Sequence, residues 1–163
     1  PPMADFCTGY RYHVTGLVHD ETGFPSSNPV VADKLIRRLY NKIELNKHDI
    51  ISWEEENTED ANIIILSYGC VSRAAKSAMK SLRSKGIKVG LFRPITLWPF
   101  PEERVRELAE KADTIVVAEM NLGQIVLEVE RICGSKTKVE RVNKVNGEII
   151  YPEEITKKIE EVL

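Results

Sequence analysis

The sequence predicts an α/β protein: a mostly parallel sheet in a three-layer α/β/α arrangement, preceded by an irregular and helical extension. Three observations predict it. From Ala61 onward, short apolar runs alternate with amphipathic helical stretches, the pattern that builds parallel βαβ units. The runs are continuous, as in Ile63 to Leu66 and Ile115 to Ala118, which suits strands buried on both faces. Before Ala61 the chain is irregular or acidic apart from one helix. The expected division is therefore residues 1–60 for the extension, with its acidic linker, and 61–163 for the α/β domain.

Residues 1–28 carry Gly9, Gly16, Gly23 and Pro25 among serines and threonines, which break both helix and strand. Asn28-Pro29 then opens a helix, with Asn28 as N-cap and Pro29 at its first position. Val31, Leu35, Leu39 and Ile43 recur every four residues on one face, and Lys34, Arg37, Arg38 and Lys42 lie outside it. The stretch 46–61, NKHDIISWEEENTEDA, has no helical apolar face and reads as a linker.

The regular part follows. Residues 62–66 are a strand, and Ser67-Tyr68-Gly69 its exit turn. A helix carries Val71, Ala75, Ala78, Met79 and Leu82 on one stripe and stops at Gly86. A strand over 87–92 ends at Phe92 and Arg93, and Pro94 stops it because proline has no ladder N–H. A loop through Trp98 leads to Pro101, which opens a helix with Glu102 and Glu103 in its first turn. Residues 114–118 are a third strand ending at Glu119. Asn121 and Gly123 turn the chain into a helix closed by Gly134. A fourth strand lies within 137–145, and the last helix starts at Pro152.

Composition narrows the function. The 163 residues suit one domain with an extension, and 42% hydrophobic content supports a core. A net charge of -2 and a pI near 6.0 give no footprint for nucleic acid or an anionic membrane. No apolar run approaches a membrane span. The opening PPMADFCTG is not built like a signal peptide and lacks a Met at position 1, so a piece of a longer polypeptide is expected. Cys7, Cys70 and Cys133 have no CxxC spacing, which argues against a cluster or zinc site on this chain and suits a reducing, cytoplasmic setting. There is no GxGxxG after a strand, no GxxxxGK[ST], no GxSxG and no HExxH. Cys70 stands at a strand-to-helix turn, but without an assigned histidine it reads as inert. No catalytic residue and no metal ligand is expected.

In doubly wound sheets ligands sit beyond the carboxyl ends of the strands. The strand ends carry Tyr68, Gly69, Arg93, Glu119, Asn121 and Gly123, a crest with one cation, one carboxylate and small polar groups. Arg93 and Glu119 either pair with each other or each meet a ligand or partner. His19, Asp20 and Glu21 form a further polar cluster in the extension, read either as a solvated loop or as a site rim or subunit contact.

The stretches HVTGLVHDETGFP, GLFRPITLWPFP and VVAEMNLGQ resemble the alpha subunit of 2-oxoacid:ferredoxin oxidoreductases, especially the 2-oxoglutarate type. More distantly, the region from Ala61 resembles the transketolase C-terminal domain of thiamine enzymes. The resemblance covers essentially the whole chain and implies its carboxyl-terminal part. Such enzymes convert a 2-oxoacid, coenzyme A and oxidised ferredoxin to an acyl-CoA, CO2 and reduced ferredoxin. The resemblance implies thiamine diphosphate, Mg2+, iron–sulfur clusters and coenzyme A for the whole enzyme, with none of them held by this chain alone. It implies a beta subunit, further subunits and ferredoxin as partners in an oligomer, with no nucleic acid and no membrane. On this reading the chain serves assembly and shapes the active-site mouth. His19, Asp20, Glu21, Tyr68, Gly69, Arg93, Glu119, Asn121 and Gly123 are then candidates for contact with substrate, coenzyme A or another subunit. The alternatives are the same domain in another thiamine enzyme, such as a transketolase or E1 relative, and an independent flavodoxin-like binding module.

Overall fold

The computed structural model describes residues 4–163, which divide into two compact units, one ending at Ile50 and the other spanning Ile51–Leu163.

In the first unit, β1 (Val18–His19) pairs antiparallel with β2 (Pro25–Ser26). Asp20 makes this hairpin where the sequence reads as irregular: its Oδ1 accepts from the backbone N–H of Thr22 at 2.8 Å and of Phe24 at 3.3 Å. Such a side-chain turn closes the backbone without a regular pattern around it. α1 (Pro29–Glu44) is capped by Asn28, whose Oδ1 accepts from Val30 N at 2.9 Å, and α2 (Lys47–Ile50) follows.

No residue of α1 is buried, and Ile36, Leu39 and Tyr40 on its apolar side are exposed. Helix stability comes mainly from packing of the apolar face. The isolated chain should therefore exchange its α1 amides at least about a hundredfold faster than those of the buried strands. Hydrogen–deuterium exchange read by mass spectrometry measures this, and equal protection in α1 and the core strands would contradict it.

The second unit is built on a five-stranded sheet in the order β3-β5-β4-β6-β7. β4 (Ile63–Ser67), β5 (Val89–Pro94), β6 (Thr114–Glu119) and β7 (Lys138–Asn143) are parallel, and β3 (Trp53–Glu56) joins the edge antiparallel to β5. Helices α3 (Val71–Ser84) and α6 (Pro152–Glu160) cover one face through Ile63, Ile65, Val89, Leu91, Val116 and Ala118. Helices α4 (Glu102–Ala109) and α5 (Ile125–Cys133) cover the other through Ile64, Leu66, Phe92, Ile115 and Val117. The mostly parallel three-layer sheet expected from the alternation is present.

Two expectations need correction. The stretch read as a linker contains β3, so the sheet begins before Asp60. Its glutamates are poor strand formers, but Glu54, Glu55 and Glu56 each find a cation from a distant element. β5 also does not stop at Phe92. It runs on through Arg93 to Pro94, which sits opposite Trp53 in the antiparallel register. Among the described residues no helix is long and apolar enough to cross a membrane.

Candidate functional site

The carboxyl ends of β4, β5 and β6 lie together, because β4 pairs with both of the others. The pleat divides their side chains into two groups. Arg93 has the parity of Val89 and Leu91 and therefore points to the α3/α6 face. Glu119 has the parity of Ile115 and Val117 and points to the α4/α5 face. The two do not pair with each other, and each has its own partners.

Glu119 is 1% exposed and faces no cation in its hydrogen-bond set. Its oxygens accept from Tyr68 Oη at 3.0 Å, Asn121 Nδ2 at 2.9 Å and the backbone N–H groups of Gln124, Ile125 and Val126 at 3.0–3.1 Å. α5 has no side-chain cap of its own, so a carboxylate from the neighbouring strand end satisfies its first amides and meets its dipole. Burial alone would raise the Glu119 pKa. The hydrogen bonds from Asn121, Val126, Ile125 and Tyr68 outweigh it, and the net shift is downward. Burial and the Glu119 bond push the Tyr68 hydroxyl up. Asn121 also donates to Tyr68 Oη at 2.9 Å, and its Oδ1 accepts from Gly123 N at 2.7 Å. Gly123 takes a φ of 110°, which a side chain would disfavour.

On the other face, Arg93 Nη1 donates to Glu54 Oε2 at 2.9 Å, directly across the β3–β5 register. Gly69 and Cys70 border the same area, and Cys70 is exposed, with its Sγ 3.9 Å from Met120 Sδ. Arg104 from α4 clamps Glu55 through Nε at 2.6 Å and Nη2 at 2.8 Å. The Arg104 bonds lower the Glu55 pKa despite its partial burial. His19, Asp20 and Glu21 belong to the first unit. His19 Nε2 lies 2.9 Å from Thr15 Oγ1, Asp20 forms the hairpin turn, and Glu21 pairs with Lys34. The structure thus assembles Tyr68, Glu119, Asn121 and Gly123 into one cluster and puts Arg93 and Gly69 beside another.

Sequence reading missed Glu54 as the partner of Arg93 and Arg104 as the partner of Glu55. The only available signal was an acidic run with no local cations to answer it. Among the described residues no three His, Cys, Asp or Glu side chains converge as metal ligands. Cys133 is buried while Cys7 and Cys70 are exposed. This donor set does not fit Mg2+–diphosphate or an iron–sulfur cluster held by the described residues alone.

The chain is similar to known proteins along nearly its whole length. It is 48% identical over 98% of its residues to 2-oxoglutarate synthase subunit KorA of Methanocaldococcus jannaschii, covering 43% of that protein. It is 43% identical over 78% of its residues to ketoisovalerate oxidoreductase subunit VorB of Methanothermobacter marburgensis, covering 35% of it. The chain thus spans less than half the length of these curated relatives. Among solved structures, the 2-oxoglutarate:ferredoxin oxidoreductase of Magnetococcus marinus, with 2-oxoglutarate, coenzyme A and succinyl-CoA bound, superposes with a TM-score of 0.77 at 28% identity. That match covers 98% of this chain and 28% of the other. Residues 61–155, from β4 into α6, match the family described as pyruvate:ferredoxin oxidoreductase core domain II. That match takes in more than half of the sequence and the whole parallel part of the sheet, and the chain belongs to this family.

Proposed function

We propose that the chain forms part of an alpha-type subunit of a 2-oxoacid:ferredoxin oxidoreductase acting on 2-oxoglutarate. The reaction joins the 2-oxoacid and coenzyme A to give an acyl-CoA and CO2, and passes two electrons to ferredoxin. The observation that carries this reading is the likeness to the 2-oxoglutarate synthase subunit along nearly all of the chain. A branched-chain 2-oxoacid is the second reading, favoured by the shorter match to the ketoisovalerate enzyme.

Thiamine diphosphate with Mg2+, when bound in the assembled enzyme, supplies the electron sink that no side chain provides. Iron–sulfur clusters would carry the electrons on. These groups, the beta subunit and any further subunits would be supplied by other parts of a cytoplasmic oligomer. The role of this chain is assembly and shaping of the active-site mouth. The crest residues Tyr68, Gly69, Arg93, Glu119, Asn121 and Gly123 would face substrate, coenzyme A or a neighbouring subunit. His19, Asp20 and Glu21 would be contact residues in an extension in which none of the described residues up to Ile50 is buried.

The test is reconstitution. The purified 163-residue chain should give no dye or ferredoxin reduction with 2-oxoglutarate and coenzyme A. The complex with the remaining alpha part and the partner subunits should give full turnover. Turnover by the contaminant-free chain, or an assembled complex that prefers 2-oxoisovalerate, would overturn the reading as stated.

A further inference from the structure

The two edges of the second unit's sheet differ in chemistry. Four connections leave the carboxyl ends of the parallel strands, at 68–70, 95–101, 120–124 and 144–151. The first three carry no Asp, Glu, Lys or Arg, and the fourth carries only Lys144 and Glu148. Lys144 is held by Glu148 and Glu154. The connections at the opposite edge, 57–62, 85–88, 110–113 and 134–137, hold eight charged residues in a shorter length of chain.

Exposed apolar side chains follow the same division. Residues 95–101 expose Ile95, Leu97 and Trp98. The next two connections expose Met120, Leu122, Val145, Ile149 and Tyr151. These eight stand among eleven exposed large apolar residues in the second unit, and the connections at the opposite edge have none. Trp98 is 70% and Leu122 81% exposed. Eight exposed side chains of this kind leave on the order of 800 Å2, about what each partner buries in a standard protein–protein interface. A face poor in charge and rich in aromatic, aliphatic and Met side chains has the make-up of an interface core.

We propose that this edge docks on an apolar protein surface in the rest of the assembled enzyme. The identity of the partner rests on the oxidoreductase reading above, whereas the face itself does not. Ligands commonly sit at this edge of a parallel sheet, but 2-oxoglutarate and coenzyme A are anions. The four connections offer them no unpaired cation. Of the first-turn charges of the helices that start here, Arg73, Glu103 and Glu153 have no ion pair among the described residues, two acids to one base. That balance favours no negatively charged occupant. The chain spans 43% of the length of the similar 2-oxoglutarate synthase subunit. Most of the surface able to cover this edge therefore lies outside these residues, and a second copy is not needed as the occupant.

Hydroxyl-radical footprinting read by mass spectrometry tests this on the 163-residue chain, alone and in the reconstituted complex. Trp98, Met120 and Tyr151 should oxidise readily in the isolated chain. In the complex they should react at least about fivefold more slowly, with or without coenzyme A and 2-oxoglutarate, because an interface core excludes water. Leu122→Lys and Trp98→Glu should leave the urea midpoint of the isolated chain unchanged, since both side chains are exposed. Each should weaken assembly about tenfold or more. Lys111→Glu, at the charged edge, should leave assembly unchanged. Protection of Trp98 that appears only with coenzyme A or 2-oxoglutarate would make the edge a ligand site and overturn the proposal. So would a dimer of the isolated chain that Leu122→Lys abolishes, or unchanged oxidation in the complex. A complex that buries Trp98 but turns over another 2-oxoacid supports the docking face and defeats the substrate reading alone. A complex active on 2-oxoglutarate with Trp98 still open defeats the docking face alone.

Discussion

Replacing Glu119 with alanine should destabilise the second unit by about 3 kcal/mol, since several buried donors lose their acceptor at once and each such loss costs about 1–3 kcal/mol before relaxation. The donors are Tyr68 Oη, Asn121 Nδ2 and the first amides of α5. Glu119→Gln keeps the shape but turns an NH2 toward those donors, so it should cost nearly as much. Urea unfolding at neutral pH measures both. The pH dependence separates the carboxylate from simple packing. The Glu119 pKa is lowered in the folded chain. Its stabilisation is therefore complete above the unfolded value, near 4.5, and is lost as pH falls through the folded value. The gap between wild type and Glu119→Gln should be constant from pH 7 down to near the unfolded value of 4.5 and shrink as pH falls from there through the folded value. A gap that stays the same down to acid unfolding would mean that the charge does nothing there.

Glu119 also shows what a sequence discloses and what it withholds. Its place at the end of a buried strand follows from the run Thr114 to Ala118. Its partners do not follow, because they include amides at the start of the next helix and a tyrosine just beyond the end of another strand. The same limit applies to Arg93. Along one strand, parity says which residues share a face, so Arg93 goes with Leu91. Whether Glu119 shares that face depends on the register of β4 against both neighbours, which no single strand encodes. The parallel strands β4, β5 and β6 were legible because both of their faces are largely apolar, whereas the edge strand β7 mixes valines with charged residues. β3 was not, because its side chains answer cations on β5, α3 and α4 that are remote in sequence. The hairpin of the first unit was hidden for a similar reason: one side chain, Asp20, builds the turn. Local pattern reveals burial, and pairing at a distance determines the remainder.

Gly90 gives the second large effect, and it arises from the segment that joins β3 to β4. A Cβ on Gly90 would lie 2.8 Å from Asn57 O, 2.9 Å from Thr58 Cα and 3.0 Å from Ile64 Cδ1. Two of these are backbone atoms, so no rotamer change relieves the clash. The segment is also held from the other side. Arg83 Nη2 donates to Asn57 O at 3.0 Å while its Nε donates to Val89 O at 2.7 Å. Thr58 is buried, and its hydroxyl donates to Glu55 Oε2 at 2.6 Å. Asn57 itself has a φ of 56°, in the left-handed region. Gly90→Ala must push this anchored turn outward and loosen β3 with it, at a cost of about 3 kcal/mol, the upper part of the usual range for overpacking. Gly86→Ala is the control. Gly86 has a φ of 83° but nothing within 4 Å of an added Cβ. It should lose only about 1 kcal/mol, from backbone conformation. Urea unfolding ranks the two variants, and amide exchange in β3 should rise for Gly90→Ala alone. If Gly90→Ala is no less stable than Gly86→Ala, the close approach of residues 57–58 to β5 does not constrain the fold in the way argued.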